Sequence, residues 1–285
     1  MNGKVWKWVA ASGAAALGLG MMALQKNILQ EGFDASGLLL MDNPGLWILW
    51  TVTVVFLVGT AALAWSLGEG GSFEENFPPC PYSGIACVIA GFVMLFSGLS
   101  GLQSGLLMAL CALAIGVCMV MGGICRCCGW KPDWWMDMVI FAGYTVILVL
   151  SYRSWNVAPT LQTYAFPMLS LAAPMLFALH RARLPWGYPD RRRLIFFGLA
   201  GVYLSFPAMA GGQGTGFFFA TAVWCAGALC ELTKQYPEEP EVPEEPEEPR
   251  EAPETVEAED VTDPVQAMLD ALEAEKKQTD ELQDS

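Results

Sequence analysis

Apolar residues along this chain gather into eight long runs, which are joined by short polar connections and followed by a polar C-terminal part. A helix needs about 20 mostly apolar residues to cross a lipid bilayer, and the runs have this length or come close to it. They span residues 5–24, 46–67, 85–99, 102–124, 134–151, 161–180, 194–210 and 217–232. The pattern therefore predicts an all-α fold over residues 1–232, a polytopic membrane helical bundle with about eight transmembrane helices.

Glycine-rich connections and the start of the first run add detail to this picture. The sequence SGLQ at Ser100–Gln103 separates the third and fourth runs and predicts a tight helical hairpin, and AGGQGTG at 210–216 predicts a flexible turn. The first run follows Lys4 and Lys7, a start that signal peptides share. We expect a retained first helix because the run is long enough to span a membrane, and cleavage is the alternative.

Charge separates the apolar body from the C-terminal part. Of the 285 residues, 54% are hydrophobic and 15% are charged. Residues 231–285 contain 20 acidic and 4 basic side chains, whereas residues 1–230 contain 9 acidic and 11 basic ones. The net charge of −14 therefore belongs to the tail, which would repel nucleic acid, so no nucleic-acid partner is expected.

The acidic tail has two parts with different patterns. Proline recurs at every third position from Pro237 to Pro249, which matches the three residues per turn of polyproline II. The glutamates between these prolines repel one another, so residues 233–263 are expected to form a disordered, extended Pro/Glu-rich spacer. Asp263 and Pro264 suit the start of a helix. We predict a short amphipathic helix over residues 264–278 and a disordered end over residues 279–285.

This predicted tail helix carries an apolar stripe at the spacing i, i+3, i+4 and i+7. The stripe consists of Val265, Met268, Leu269 and Leu272. So short a helix is marginal in water by itself, whereas a protein that covers its apolar face would stabilise it. The spacer and helix therefore predict a docking element for a cytoplasmic protein partner. A weakly helical tail that only aids solubility is the alternative.

Lysine and arginine are distributed unevenly between alternate connections, which predicts the orientation in the membrane. If the N-terminus is cytoplasmic, two basic residues of the body, Lys26 and Arg153, lie outside. The inside set is Lys4, Lys7, Arg126, Lys131, Arg181, Arg183, Arg191, Arg192, Arg193 and Lys234. Eight spans return the tail to the cytoplasm, so we expect a multi-pass protein of the cell membrane with both termini cytoplasmic.

The apolar runs contain few residues that are suited to catalysis. No Asp, Glu, Lys or Arg lies in the middle of a run, although such residues usually mark ion and proton paths in membranes. His180 is the single histidine, so one chain lacks the histidine pair that holds a membrane haem. The sequence gives no reason to expect an enzyme or a bound cofactor.

Prolines in the sixth and seventh runs favour kinked helices with a cavity between them. Pro167 and Pro174 lie seven residues apart, and Pro207 lies in the next run; a proline inside a helix frees a backbone carbonyl. Polar and aromatic residues surround the expected outer mouth between the fifth, sixth and seventh helices. These candidates for binding a small polar or anionic solute are Tyr152, Arg153, Trp155, Gln162 and Tyr164. The alternative is that Arg153 only reaches the membrane interface.

Two stretches resemble a pattern in uncharacterised multi-pass membrane proteins of anaerobic Gram-positive, clostridial-type bacteria. They are FDASGLLL after the first run and SYRSWNVAPTLQTYAF before the sixth. The pattern has Phe-Asp/Glu-x-x-Gly-Leu early and Tyr-Arg-x-Trp-x-x-x-Pro-x-Leu-x-x-Tyr later. The resemblance covers most of the runs and implies a membrane protein without implying a reaction. It draws attention to Tyr152, Arg153, Pro159 and Tyr164.

The stretch ICRCCGW places three cysteines at the end of the fourth run, Cys125, Cys127 and Cys128. Thiols stay reduced on the predicted cytoplasmic side, so a structural disulfide is not expected. Zinc needs a fourth ligand and a better spacing than C-x-C-C, so these cysteines are weak metal candidates and no metal is assigned. We expect packing at the helix end, with a reactive or modified thiol as the alternative.

Three functions are compatible with these patterns. The preferred one is a non-enzymatic membrane protein that organises or recruits a cytoplasmic partner through its acidic tail. The second is a transporter or permease for a small polar or anionic solute, with a site between helices 5, 6 and 7. The third is a membrane anchor subunit of a larger complex. The first is preferred because the spacer and helix are the clearest functional pattern in the chain.

Overall fold

The fold is all-α in a computed structural model of the chain, which describes residues 6–31, 43–66, 80–103, 105–130, 133–155, 164–184, 190–212 and 214–232. The α-helices are α1 Trp6–Glu31, α2 Pro44–Ser66, α3 Pro81–Ser100, α4 Leu106–Cys127, α5 Trp134–Trp155, α6 Ala165–Arg183, α7 Arg191–Met209 and α8 Thr215–Glu231. A short 3₁₀ turn at Gly101–Gln103 joins α3 to α4. Each predicted apolar run corresponds to one helix, so the all-α prediction is confirmed.

Six of these helices, α1 to α6, are long and apolar enough to cross a membrane, which fits a membrane helical bundle. The other two differ, because α8 has 17 residues and α7 begins with three arginines, Arg191–Arg193. The predicted number of eight spans stays a prediction. Residues 198–205 of α7 are all buried, so that helix faces protein on every side. A helix in this position needs no apolar surface for lipid, which explains its glycine, tyrosine and serine content.

Helices α3 to α8 form a ring in which each helix contacts the next, and α8 closes the ring against α3. α1 and α2 lie outside this ring and pack on α7. Three buried aromatic side chains, Tyr144, Phe177 and Trp224, fill its centre. The ring centroids of Phe177 and Trp224 are 5.2 Å apart, and those of Tyr144 and Trp224 are 6.5 Å apart. The middle of the ring is therefore a packed core.

α3 and α4 form the predicted hairpin, and glycine brings their backbones into contact. Three positions of α3 at seven-residue spacing face three positions of α4: Gly84 faces Gly123, Gly91 faces Gly116, and Gly98 faces Ala109. A Cβ atom on Gly91 would lie 2.8 Å from the Gly116 carbonyl oxygen, which is too close for a larger residue. Small residues at such spacing allow close helix approach in a membrane.

Some helices begin or end away from the predicted bounds. α1 continues beyond residue 24 because Gln25 and Ile28 are buried against the rest of the bundle. α6 begins at Ala165 rather than at residue 161, which places Pro167 in its first turn. A proline there removes no helical hydrogen bond. Pro174 is the proline inside this helix.

The chain divides into two units, Met1–Glu238 and Glu239–Ser285. Every described helix belongs to the first unit. The predicted spacer at 233–263, the predicted helix at 264–278 and the predicted end at 279–285 lie outside the described residues. The described residues therefore do not test these three predictions.

Candidate functional site

A cavity of about 740 Å³ opens at one end of the ring. We call this end the cavity end: α3 and α5 end there, and α4 and α8 begin there. Small-molecule sites usually have volumes of about 300–1,000 Å³, so this cavity has the size of a binding site. Five hydroxyl side chains line it, namely Ser97, Ser100, Ser151, Ser154 and Thr215. Six glycines line it as well, namely Gly98, Gly101, Gly105, Gly212, Gly214 and Gly216.

Helical periodicity explains how α5 contributes to the cavity. Tyr144, Ile147, Ser151 and Ser154 follow one another at spacings of three and four residues, so they share one helix face. Tyr144 and Ile147 are buried, and the two serines continue the same face to the cavity. The interior of the ring thus changes from apolar to polar over its last two helical turns.

The hydroxyls differ in their hydrogen bonds. Three of them donate to nearby carbonyls: Ser100 Oγ to Phe96 O at 3.0 Å, Ser154 Oγ to Ser151 O at 2.9 Å, and Thr215 Oγ1 to Gly212 O at 3.1 Å. Their oxygens keep lone pairs that can accept further hydrogen bonds. Ser151 is only 5% exposed, and its hydroxyl has no hydrogen-bond partner among the described residues. Because Ser151 lines the cavity, its hydroxyl is available to water or to a ligand there.

Two helices begin beside the cavity. Gly105 and Gly214, which line it, directly precede α4 and α8, and neither glycine has a side chain that caps the helix. The first N–H groups of a helix have no partner within the helix. A Cβ atom on Gly216 would overlap Ser97 Oγ, so glycine is needed where α8 starts against α3. The site therefore offers backbone donors beside hydroxyl oxygens.

A buried hydrogen bond closes the ring one helical turn deeper than the cavity. Tyr144 Oη of α5 lies 2.7 Å from Thr221 Oγ1 of α8. Thr221 donates its own proton to Phe217 O at 2.9 Å, so Tyr144 is the donor in this pair. The pair and the buried Trp224 lie further along the bundle than the residues that line the cavity.

The opposite end of the bundle, which we call the arginine end, contains charged side chains that are buried. Arg181 Nε in the last turn of α6 lies 3.2 Å from Asp137 Oδ2 in the first turn of α5. Arg126 Nη1 lies 3.1 Å from Cys87 Sγ, and Arg191 is buried as well. Buried charges are stable when they are paired, and the Asp137–Arg181 pair ties the fifth and sixth helices together.

His180, the single histidine, is packed at the arginine end. It is buried, its ring stacks on Phe197 with centroids 5.6 Å apart, and its Nδ1 lies 4.0 Å from Asp190 Oδ2. Ser100 lies at the cavity end, where α6 begins rather than ends. The histidine is therefore remote from every serine that lines the cavity.

Of the predicted ligand residues, Tyr152, Arg153 and Tyr164 do not line the cavity. Tyr152 is 52% exposed, and it lies with the exposed Arg153 on other faces of α5 than Ser151. The half-buried Tyr164 precedes α6, Trp155 ends α5, and Gln162 lies outside the described residues. Their role in binding stays a prediction. The observed cavity lies mainly between α3, α4, α5 and α8, rather than between the fifth, sixth and seventh helices.

The cysteines of ICRCCGW end α4 at the arginine end. Cys125 is half-buried, while Cys127 and Cys128 are exposed. Cys127 Sγ lies 3.9 Å from Pro81 O at the start of α3. Within the described part of the chain, no three His, Cys, Asp or Glu side chains are placed to hold a metal ion. The predicted docking residues Val265, Met268, Leu269 and Leu272 lie in the part that is not described.

Sequence patterns singled out two of the segments that build this site, but only as turns. Ser100 begins the SGLQ connection, and Thr215 lies in AGGQGTG. Each segment favours a turn for local reasons. The sequence signal for this site is the serine, threonine and glycine content where the third and fifth runs end and where the eighth run begins. Their meeting at one cavity depends on the order of helices around the ring.

The described helices place the chain in the all-α class, and the six long apolar helices fit a membrane helical bundle and are compatible with an integral membrane protein. Comparison with known proteins finds no matching family model, no similar curated protein and no similar solved structure. The function is therefore inferred from the cavity and the arginine end.

Proposed function

We propose that this protein is a membrane transporter or permease, which binds a small polar solute in the cavity at the end of the ring. The observation that carries this proposal is a cavity of about 740 Å³, lined by hydroxyls, inside a ring of apolar helices. A polar cavity of this size weakens packing in a membrane protein, so a binding function accounts for its presence.

The solute would enter from the cavity end and stop at the layer formed by Tyr144, Thr221 and Trp224. A transporter in one of its two states has a site that is open to one side only. Movement of this aromatic layer would open the path toward the arginine end. Passage through the bundle therefore requires a second arrangement of α5 and α8.

We further propose that the arginine end faces the cytoplasm and that the cavity opens outward. The arginine end holds Arg126, Arg181, Arg183, Arg191, Arg192 and Arg193. The described basic residues near the cavity end are Lys26 and Arg153. An excess of basic residues on the cytoplasmic side is the usual distribution in membrane proteins.

A matched pair of substitutions on α4 tests the binding function. Ala112 lines the cavity, whereas Ala114 is exposed on another face of the same helix. Leucine at position 112 would fill part of the cavity, and leucine at 114 would only add apolar surface. A bound solute raises the unfolding temperature by mass action, which can be measured on the purified full chain against a panel of polar solutes.

We expect at least one solute to stabilise the wild type and Ala114→Leu but not Ala112→Leu. The proposal would be contradicted if no solute in the panel distinguishes the two variants. It would also be contradicted if the solutes that stabilise the protein do so equally in both.

Recruitment of a cytoplasmic protein is a second candidate function, and the pattern of residues 233–285 supports it. The proline repeat and the apolar stripe of the predicted helix are a tether and a docking element. Deletion of residues 237–285 should abolish capture of the partner, while the body still inserts in the membrane. Serine at positions 265, 268, 269 and 272 should have the same effect without shortening the tail. Capture that survives both changes would overturn this function.

The third candidate function is that of an anchor subunit in a larger complex, and it predicts a different result on purification. Purification in a mild detergent should then retain a second protein that carries a cofactor. Retention that needs the body and not residues 237–285 would separate this role from recruitment by the tail.

A further inference from the structure

The hydrogen-bonding groups of the cavity comprise both donors and acceptors. Ser100, Ser154 and Thr215 give their protons to backbone carbonyls, so their oxygens can accept from a ligand. Ser151 is buried without a partner among the described residues, so its hydroxyl is available to donate. The first N–H groups of α8, beside Gly216, are donors as well. A ligand that fits must both donate and accept hydrogen bonds.

Charge is absent from the described lining of the cavity. Hydroxyl, glycine and apolar residues make up the described lining. Transfer of an unpaired charge from water into such an environment is unfavourable by several kcal/mol. The lining therefore selects against both anions and cations.

Apolar side chains complete the lining between the polar groups. Ile147, Phe217 and Phe218 contribute carbon surface on two sides of the cavity. A carbohydrate or polyol has hydroxyls on its edges and C–H groups on its faces, which matches this mixture. Carboxylates and phosphates only accept hydrogen bonds, and ammonium groups only donate them. Each would leave one half of the lining unsatisfied.

We infer that the cavity binds an uncharged polyhydroxy solute, a polyol or a sugar. This inference rests on the proposed binding function and names the class of its substrate. It departs from the anionic solute that Arg153 suggested, because Arg153 is exposed and lies apart from the lining. Ser151 is the lining residue expected to donate a hydrogen bond to the solute, because its hydroxyl has no competing partner among the described residues.

Two sets of matched probes test the inference on the purified full chain in detergent. The three-carbon set is glycerol, glycerate and 3-amino-1,2-propanediol, and the six-carbon set is D-glucose, D-glucuronate and D-glucosamine. Within each set the skeleton is similar while the charge is zero, negative or positive. Affinity is measured by titration calorimetry, since polyols at high concentration also stabilise proteins by exclusion from the surface.

We expect a neutral probe of at least one set to bind at least about tenfold more tightly than its charged analogues. This ratio corresponds to a difference of about 1.4 kcal/mol in binding free energy. Ser151→Ala should weaken the binding about two- to tenfold, the worth of one hydrogen bond. Thr145→Ala is the matched control, because Thr145 lies on another face of α5 and its hydroxyl donates to Phe141 O. This variant should bind as the wild type does.

Two results would overturn the inference while separating it from the proposed function. In the first, a charged analogue binds more tightly than the neutral probe, and Ala112→Leu weakens that binding. The cavity would then still be a binding site, but its solute would be charged. In the second, neither glycerol nor D-glucose binds, which would contradict a polyol or sugar as the solute. The proposed function itself fails only if no solute at all distinguishes Ala112→Leu from Ala114→Leu.

Discussion

At the scale of residues, two tyrosine–threonine hydrogen bonds connect helices inside the apolar body. Tyr144 bonds to Thr221 at 2.7 Å, and Tyr203 bonds to Thr53 at 2.9 Å. Each threonine also donates to the carbonyl four residues earlier in its own helix, so the tyrosine is the donor in both pairs. One proton thus ties α5 to α8, and another ties α7 to α2. Both bonds satisfy polar groups that have no access to water.

Tyr144→Phe removes the first of these bonds and keeps the aromatic ring. We expect the free energy of unfolding to fall by about 0.5–1.5 kcal/mol, as for other buried hydrogen bonds. Tyr152→Phe is the control, because Tyr152 lies on the same helix and is exposed. Unfolding by a denaturing detergent measures both. Equal stability of the two variants would show that the Tyr144 bond does not hold α5 to α8.

Asp137→Asn tests the buried ion pair at the arginine end. The amide removes the negative charge 3.2 Å from Arg181 and leaves that arginine buried, so a loss of about 3–5 kcal/mol is expected. Asp133→Asn, at an exposed position before the same helix, should change stability by less than about 0.5 kcal/mol. Detergent unfolding of the purified protein makes the comparison.

A double variant keeps this prediction testable if Asp137→Asn fails to accumulate. Replacement of both partners by apolar residues, Asp137→Leu with Arg181→Met, removes the charge together with its counter-charge. Such replacements are often neutral, so the double variant should be more stable than Asp137→Leu alone. The opposite order would mean that the pair contributes no coupling.

At the scale of elements, the helices differ in what surrounds them. α2 contacts α1 and α7 on one side, and large side chains such as Val55 and Trp65 are exposed on the other. α7 is enclosed by α1, α2, α6 and α8. An apolar outer face is required of α2 in lipid, while α7 can carry small and polar residues that fit its neighbours.

Gly91→Ala should separate α3 from α4. The added Cβ atom would lie 2.6 Å from Val120 Cγ2 and 2.8 Å from the Gly116 oxygen, so one helix has to shift. The expected loss is about 1–3 kcal/mol, as for other overpacked interiors. Gly59→Ala on α2 is the control, since nothing lies within 4 Å of its added Cβ atom. That change should be neutral or slightly stabilising, because alanine favours a helix more than glycine does.

The difference between these two glycine variants is measured by the temperature at which the helical signal is lost. A stable Gly91→Ala protein would mean that α3 and α4 can move apart without penalty. Their close approach would then not depend on glycine.

At the scale of the whole molecule, the bundle has two chemically different ends. The cavity end offers hydroxyls and backbone N–H groups, and the arginine end offers buried and exposed cations. The two ends of the ring therefore differ in charge and polarity, and the proposed transport function assigns one end to each side of the bilayer. The exposed cysteines mark one of these ends.

Labelling of Cys127 and Cys128 tests the proposed direction. Both thiols are exposed at the arginine end, so a membrane-impermeant thiol reagent should label them in inverted vesicles and not in intact cells. Cys127→Ser with Cys128→Ser should remove most of the labelling, because the other seven cysteines are buried or half-buried. Labelling of these two cysteines in intact cells would reverse the orientation of the bundle.

The sequence by itself determined where the helices lie. A chain in lipid has to satisfy every backbone N–H and C=O group internally, so each apolar run had to become a helix. The α3–α4 hairpin was also predictable, since a short connection forces neighbouring helices together. The seven-residue spacing of Gly84, Gly91 and Gly98 is present in the sequence, but only the structure shows that these glycines face α4.

Only the tertiary structure decided which faces meet. Lipid and helix interior are both apolar, so hydropathy does not distinguish a residue that faces lipid from one that faces protein. The cavity depends on contacts between distant segments, such as Ser97 with Gly216 and Tyr144 with Thr221. Ring closure by α8 against α3 creates these contacts. The local sequence pattern predicts the turns and contains the hydroxyl residues. Closure of the ring brings these residues together at one cavity.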